Sequence, residues 1–193
     1  MPLIAHWPLH GNTNEISGKD LVSFVSGTPT VAATGKTGAS FTFSTVTANY
    51  TGPFTLNESL TKFSVSCWLY DTKQNAGNVI SFNGNSGFRF RTLADGNIWA
   101  YWGTGSFVST GLNMSASTWY HLTVTFDSTL PSGNFKLYLN GQYIESHNWT
   151  TALTIANIYT TVGGYQTNLE VWGGMLNDLR VYSHTLSEKE VEK

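Results

Sequence analysis

Two segments of this chain alternate strictly between apolar and polar residues, and that period of two leaves little freedom in the fold. In one, Phe63, Val65, Cys67 and Leu69 share a face, with Ser64 and Ser66 on the other. In the second, Tyr120, Leu122, Val124 and Phe126 alternate with His121, Thr123 and Thr125. A helix repeats every 3.6 residues and would scatter these side chains around its axis, whereas a strand gathers them on one side. Charged residues make up 11% of the 193 residues, far below the usual share of about 25%. Thr (26), Ser (19) and Asn (16) take their place, and aromatics reach 14%. Surface helices are built on Glu, Lys, Arg, Ala and Leu, so this composition argues against a helical bundle. Disorder is excluded by the aromatic and β-branched content. The expectation is an all-β chain folding as a single domain over residues 1–193.

Turn chemistry refines this picture. Asn83-Gly84, Asp95-Gly96 and Asn140-Gly141 each supply two residues that tolerate positive φ, as tight hairpins need. A two-residue turn at Asn140-Gly141 would set Tyr138 against Tyr143, Lys136 against Glu145 and Leu137 against Ile144. At the end of the chain, Ser187-Glu188-Lys189-Glu190 has the spacing of a capping box, predicting a short helix that closes the chain as a surface turn.

The net charge of −2 and pI of about 6.2 give no footprint for nucleic acid. No segment has the apolar length of a membrane span, and the first residues lack the basic start and apolar core of a signal peptide. Cys67 is the sole cysteine, so no internal disulfide forms. It shares a face with Phe63, Val65 and Leu69 and reads as a buried small hydrophobe. Sequons at Asn49, Asn57, Asn113 and Asn148 are about as many as chance gives in a chain this rich in Asn, Ser and Thr. The five histidines, among them His6 and His10, lack a metal-ligand spacing.

Several segments in order carry a family likeness. The opening LIAHWPLHGNTNEISGKDL, the central FSVSCWLY and STWYHLTVTFDSTLPSGNFKLYLNGQYIE, and the closing GGMLNDLRVYSHTLSEKEVEK resemble the laminin-G-like branch of the concanavalin A-like lectin/glucanase superfamily. The resemblance implies a jelly-roll sandwich of two antiparallel sheets, with the first and last strands adjacent. The superfamily holds enzymes and binding modules alike, so function must be argued from the site. Its glucanase branch carries three acids at alternate positions of one strand. Here Glu58, Asp71, Asp95, Asp127, Glu145 and Glu170 are scattered, so no catalytic residue is expected.

No cofactor or metal site is assigned. The one alternative that the resemblance implies is a structural Ca²⁺, with Asp178 in the right place before Arg180-Val181-Tyr182. The other half of that motif, Asn14-Glu15-Ile16-Ser17-Gly18, has Glu where Asp is usual. Without calcium, Asp178 is expected to pair with a loop amide or a nearby cation.

The candidate ligand-binding residues are Arg89, Arg91 and Trp102. A two-residue turn at Asp95-Gly96 would set Arg89 opposite Trp102, Arg91 opposite Ala100 and Phe90 opposite Tyr101. Phe88, Phe90, Trp99 and Tyr101 would then face the core. The two arginines would form an exposed patch with an indole, able to stack on a sugar and donate to its oxygens. Trp149 and Trp172 are further loop candidates. The functional expectation is a non-enzymatic bacteriophage virion surface protein, made in the host cytoplasm. Its expected partners are a capsid or fibre protein and surface glycans, with self-association as a further alternative. The rival is an extracellular carbohydrate-binding module of a bacterial protein, and a glycoside hydrolase ranks below both.

Overall fold

The computed structural model describes residues 3–10, 24–26, 30–43, 49–54, 59–72, 76–82, 88–102, 105–109, 112, 114–149, 153–154, 158–164 and 170–192. These form two large antiparallel sheets and one short helix, the sandwich expected from the alternation. One sheet runs β14 (Gln142–His147), β13 (Phe135–Leu139), β12 (Trp119–Asp127), β7 (Lys62–Asp71), β17 (Gly174–Tyr182), β4 (Ser40–Phe43) and β3 (Thr30–Ala32). The first strand, β1 (Leu3–Trp7), also pairs with β17, so both ends of the chain meet as expected. The other sheet runs β11 (Gly105–Ser109), β10 (Ile98–Trp102), β9 (Phe88–Thr92), β8 (Gly77–Phe82), β16 (Ile158–Val162), β5 (Asn49–Phe54) and β2 (Phe24–Ser26). A minor ribbon joins β15 (Leu153–Thr154) to β6 (Ser59–Leu60).

The core lies between the two large sheets, where their inward residues interlock. Phe63, Val65, Cys67 and Leu69 of β7 and Leu122, Val124 and Phe126 of β12 are all buried, confirming the inward faces read from the alternation. Phe88 of the opposite sheet reaches across to Phe63 and Phe135, with ring centroids at 6.0 and 6.2 Å. Tilted aromatic contacts at such separations add to the area that they bury. Cys67 belongs to this core, and burial pushes its thiol up to about 12.

The Asn140-Gly141 hairpin closes as read. Asn140 and Gly141 have φ of 51° and 81°, and Tyr138 pairs with Tyr143. Beyond that pair the register slips by one residue. Leu137 then stands opposite Glu145 rather than Ile144, and Lys136 opposite Ser146 rather than Glu145. The extra residue is Ile144, which packs against the core, and Glu145 pairs with His147 at 3.3 Å instead. A bulge of this kind keeps an aliphatic side chain on the buried face at the cost of the cross-strand ion pair.

The outer, polar face of β7, β12 and β13 is covered rather than bare. Ser64, Thr125 and Tyr138 are buried there. The cover is the C-terminal segment. Ser64 donates its hydroxyl to the His184 carbonyl at 2.9 Å and accepts the Leu186 N–H at 2.9 Å. Leu186 and Val191 close over Tyr138. The helix α1 (Glu188–Val191) is therefore packed on the sheet rather than ending the chain as a surface turn. Its capping box is present, with the Glu190 carboxylate accepting the Ser187 N–H at 2.9 Å.

Candidate functional site

The Asp95-Gly96 hairpin decides which side chains face outward on the sheet that contains β9 and β10. Its loop holds three residues, Ala94, Asp95 and Gly96, rather than two. The Leu93 N–H donates to the Asn97 carbonyl at 2.8 Å, and the Gly96 N–H donates to the Leu93 carbonyl at 2.9 Å. Gly96 has φ of 83°, the left-handed conformation that such a loop requires at its last position. Asp95 stabilises the turn by accepting the Asn97 N–H at 2.9 Å. One extra loop residue shifts the register by one, so the side chains from Ile98 to Tyr101 change face relative to expectation.

The pairs observed are Arg89 with Tyr101, Arg91 with Trp99, Phe90 with Ala100 and Phe88 with Trp102. Ile98 and Ala100 are fully buried, in place of the expected Trp99 and Tyr101. Trp102 is in register with Phe88, not with Arg89. The arginines meet two aromatics all the same. Arg89 lies over the Tyr101 ring at 4.2 Å, and Arg91 lies 5.8 Å from the Trp99 ring centroid. Trp99 and Tyr101 stack on each other at 4.6 Å with 30° between their planes.

The arginines are not the exposed patch expected of them. The Arg89 and Arg91 side chains are only 13% and 18% exposed, because Glu170 covers them. One Glu170 oxygen accepts from Arg91 at 2.9 Å, and the other lies 3.5 Å from Arg89. Glu170 is brought here by docking of residues 170–172 against β8. The Asn78 N–H donates to the Glu170 carbonyl at 2.9 Å, and the Asn78 amide donates to the Glu170 carboxylate. The approach depends on glycine: a Cβ at Gly77 would lie 2.5 Å from the Trp172 Cα. Glu170 is 79 residues from Arg91, and nothing local in the sequence announces the contact.

The cluster thus combines two guanidinium groups, one carboxylate and a stacked pair of aromatic rings. Burial pushes the Tyr101 phenol up, outweighing both guanidinium groups, so it keeps its proton at neutral pH. The Arg91 Nε and the Trp99 indole N–H are shielded and have no acceptor among the described residues. The arrangement offers N–H and O–H donors, a carboxylate acceptor and apolar ring surface within one face.

The remaining candidates resolve differently. Trp172 is fully buried against Phe43, with centroids at 5.9 Å, and Trp149 stacks on Phe135 at 4.1 Å. Both are packing residues rather than exposed loop platforms. Asp178 sits in the bulge of β17 with φ of 53° and accepts from His6 at 2.7 Å and Arg180 at 3.0 Å. That is the pairing with a nearby cation expected of it. Its motif partner at residues 14–18 lies outside the described residues, as does the Asn83-Gly84 turn. Among the described residues, no group of three or more His, Cys, Asp or Glu gathers as a metal site would.

A family model described as Laminin_G_3, Concanavalin A-like lectin/glucanases superfamily, matches residues 43–192. No curated protein sequence matches the chain. Among solved structures, domain 4 of AbnA, a GH43 extracellular arabinanase from Geobacillus stearothermophilus, in complex with arabinotriose, superposes with a TM-score of 0.78. Identity is 18%, over 98% of this chain and 96% of that one. The binding domain of Paraclostridial Mosquitocidal Protein 1 gives a TM-score of 0.75 at 16% identity, over 98% of this chain and 51% of that one. The heptameric SAP-like pentraxin of Limulus polyphemus gives 0.55 at 16% identity, over 77% of this chain and 82% of that one. At these identities the likeness establishes the fold alone.

Proposed function

The chain belongs to the Laminin_G_3 family of the concanavalin A-like lectin/glucanases superfamily, and we propose that it is a non-enzymatic carbohydrate-binding module. The observation that carries this reading is the Glu170 carboxylate held between Arg89 and Arg91 beside the stacked Trp99 and Tyr101. Sugar hydroxyls both donate and accept, and the ring C–H faces are apolar. A fixed donor–acceptor pair next to an aromatic surface meets both requirements. The acids support a binding role over a hydrolytic one. Glu170, Asp178, Asp127 and Glu145 each pair with a cationic or imidazole group. Retaining hydrolysis instead needs two carboxyls about 5 Å apart across one bond. Binding by this face calls for no metal.

The arabinotriose bound by the AbnA domain makes arabino-oligosaccharides the first neutral probe. Two arginines against one glutamate leave the cluster net positive, so acidic oligosaccharides are the second. Calorimetric titration of the native chain, Arg91→Ala and Trp99→Ala against both classes tests the site. Trp99→Ala should lose about 1–3 kcal/mol of affinity, by analogy with other stacking aromatics. Arg91→Ala should weaken acidic ligands more than neutral ones. Trp102→Ala belongs in the same series, since the indole was part of the sequence-based patch. Unchanged affinity in both Arg91→Ala and Trp99→Ala, with the fold intact, would refute the site.

The finer setting that we propose, a bacteriophage virion surface with a capsid or fibre protein as partner, rests on composition. A chain rich in Thr, Ser and Asn with few charges suits it. Mass spectrometry of purified virions tests the setting directly. Recovery of the chain only in a secreted bacterial protein would contradict it.

A further inference from the structure

The opposite sheet carries a cavity of about 620 Å³ on the outer side of β7, β12 and β17. A volume in this range suits a small organic ligand. Trp68 and His121 form its aromatic floor, with ring centroids at 4.9 Å. Lys36 walls one side, its ammonium 4.6 Å above the Trp68 ring. The last turn of the C-terminal segment, at Val191 and Glu192, walls another.

The Lys36 wall is held in place. Asn177, fully buried, accepts from the Thr37 N–H at 2.9 Å and the Thr37 hydroxyl at 2.8 Å. It also donates to the Pro8 carbonyl at 2.9 Å and the Ala39 carbonyl at 3.0 Å. One amide thus pins the loop that presents Lys36. An independent feature points to a ligand. Thr123 lines the cavity, is 1% exposed, and its hydroxyl has no hydrogen-bond partner among the described residues. A buried polar group without a partner is costly, and a ligand hydroxyl would relieve that cost.

The charge around the cavity narrows the ligand class. Lys36 and Arg180 face Asp178, Glu190 and Glu192, and Arg180 is bound to Asp178 at 3.0 Å. Burial lowers the His121 pKa, with Asp178 opposing the shift and Arg180 reinforcing it. The imidazole is therefore neutral at pH 7, offering one donor and one acceptor beside the indole. With the charges nearly balanced, an ionic ligand gains little here.

We propose that this cavity is a second saccharide site, taking a neutral sugar ring against Trp68 and His121 with a sugar hydroxyl on Thr123. The proposal rests on the carbohydrate-binding reading above and adds a site on the opposite sheet, with different selectivity. Two sites on opposite faces would let one chain bridge two glycans, raising avidity without any new contact.

The test is a heteronuclear NMR titration with methyl α-glucoside, methyl β-galactoside, methyl α-mannoside and arabinotriose. At least one of these sugars should shift the Trp68 indole and His121 signals. Trp68→Ala should abolish the His121 shift, while Trp99→Ala should leave both shifts intact. Thr123→Val separates binding from packing. Removing an unpartnered hydroxyl should leave the melting temperature equal or higher, yet weaken sugar binding about fivefold, the equivalent of one hydrogen bond. No shift at Trp68 or His121 with any of the four sugars would overturn the proposal, as would Thr123→Val binding as tightly as the native chain. Shifts confined to Trp99 and Arg91 would overturn this site and leave the first standing. Shifts confined to Trp68 and His121 would do the reverse.

Discussion

Replacing Ile98 by alanine should destabilise the chain far more than replacing Tyr101, although tyrosine is the larger residue. Ile98 is fully buried in the core, whereas Tyr101 lies on the opposite face of the same strand, with Arg89 and Trp99. The Ile98 variant removes three carbons, worth about 2.4 kcal/mol at roughly 0.8 kcal/mol per buried carbon. The cavity left behind raises the total to about 3–4 kcal/mol. Tyr101→Ala removes one aromatic stack, worth about 0.5–1.5 kcal/mol, and one cation–π contact of about 0.5–1 kcal/mol. Its total is therefore about 1–2.5 kcal/mol. Urea titration followed by circular dichroism reads both, provided that the two variants share the native slope. In a chain of this size the Ile98 change should lower Tm by about 6–16 °C and the Tyr101 change by less, about 2–10 °C, with the Ile98 loss the larger when both are measured together. A two-residue turn at Asp95-Gly96 would reverse the order, because it buries Tyr101 and exposes Ile98. A Tyr101→Ala loss equal to or larger than that of Ile98→Ala would thus refute the three-residue loop and the cluster built on it.

Other outcomes follow from the same packing. Cys67, with its thiol pushed up to about 12, should resist a thiol reagent in the native chain and react stoichiometrically on unfolding; rapid native labelling would contradict its burial. At Asp127, burial opposes ionisation, but hydrogen bonds from Lys62 and Thr129 outweigh it and hold the carboxyl below the ordinary 3.8. The stability from this carboxylate is therefore full above pH 3.8 and is lost as pH falls through the lower folded-state value. Asp127→Asn should flatten the acid limb of a stability–pH curve, and an unchanged limb would count against the pairing. Leu137→Asp should be severe, since it puts a charge into the core. Lys136→Ala should cost at most about 1 kcal/mol, since this half-buried lysine faces Thr125 and Ser146 rather than an acid across the sheet; comparable losses in denaturant would mean that the faces of β13 are misassigned.

Local patterns carried much of this fold, and long-range contacts carried the rest. The inward faces of β7 and β12 are legible because alternation alone specifies them. Asn140-Gly141 is legible because few residue pairs tolerate two successive positive φ values. Asp-Gly at 95–96 is ambiguous, since the same glycine closes either a two- or a three-residue loop. The large Trp99 and Tyr101 favoured the core on hydrophobicity, yet the smaller Ile98 and Ala100 occupy it. Burial of Ser64, Thr125 and Tyr138 has no local signal, because the cover arrives from Leu186 and Val191, far along the chain. Glu170 is hidden for the same reason. Without it the arginines read as an open patch; with it they form a screened donor–acceptor cluster. The alternation puts both arginines on one face of this hairpin, but the two rings that they meet, Trp99 and Tyr101, read as core from the sequence.

The central claim, recognition without cleavage, is tested most directly by native mass spectrometry of the chain with arabinotriose and a panel of neutral and acidic oligosaccharides, sampled over hours. The account predicts adducts at the mass of the intact glycan, weakened in the Trp99→Ala and Arg91→Ala variants down to what the Trp68 site alone retains, with no shorter sugars accumulating. Shorter products that depend on a particular carboxylate, or the absence of any adduct across the panel, would contradict it.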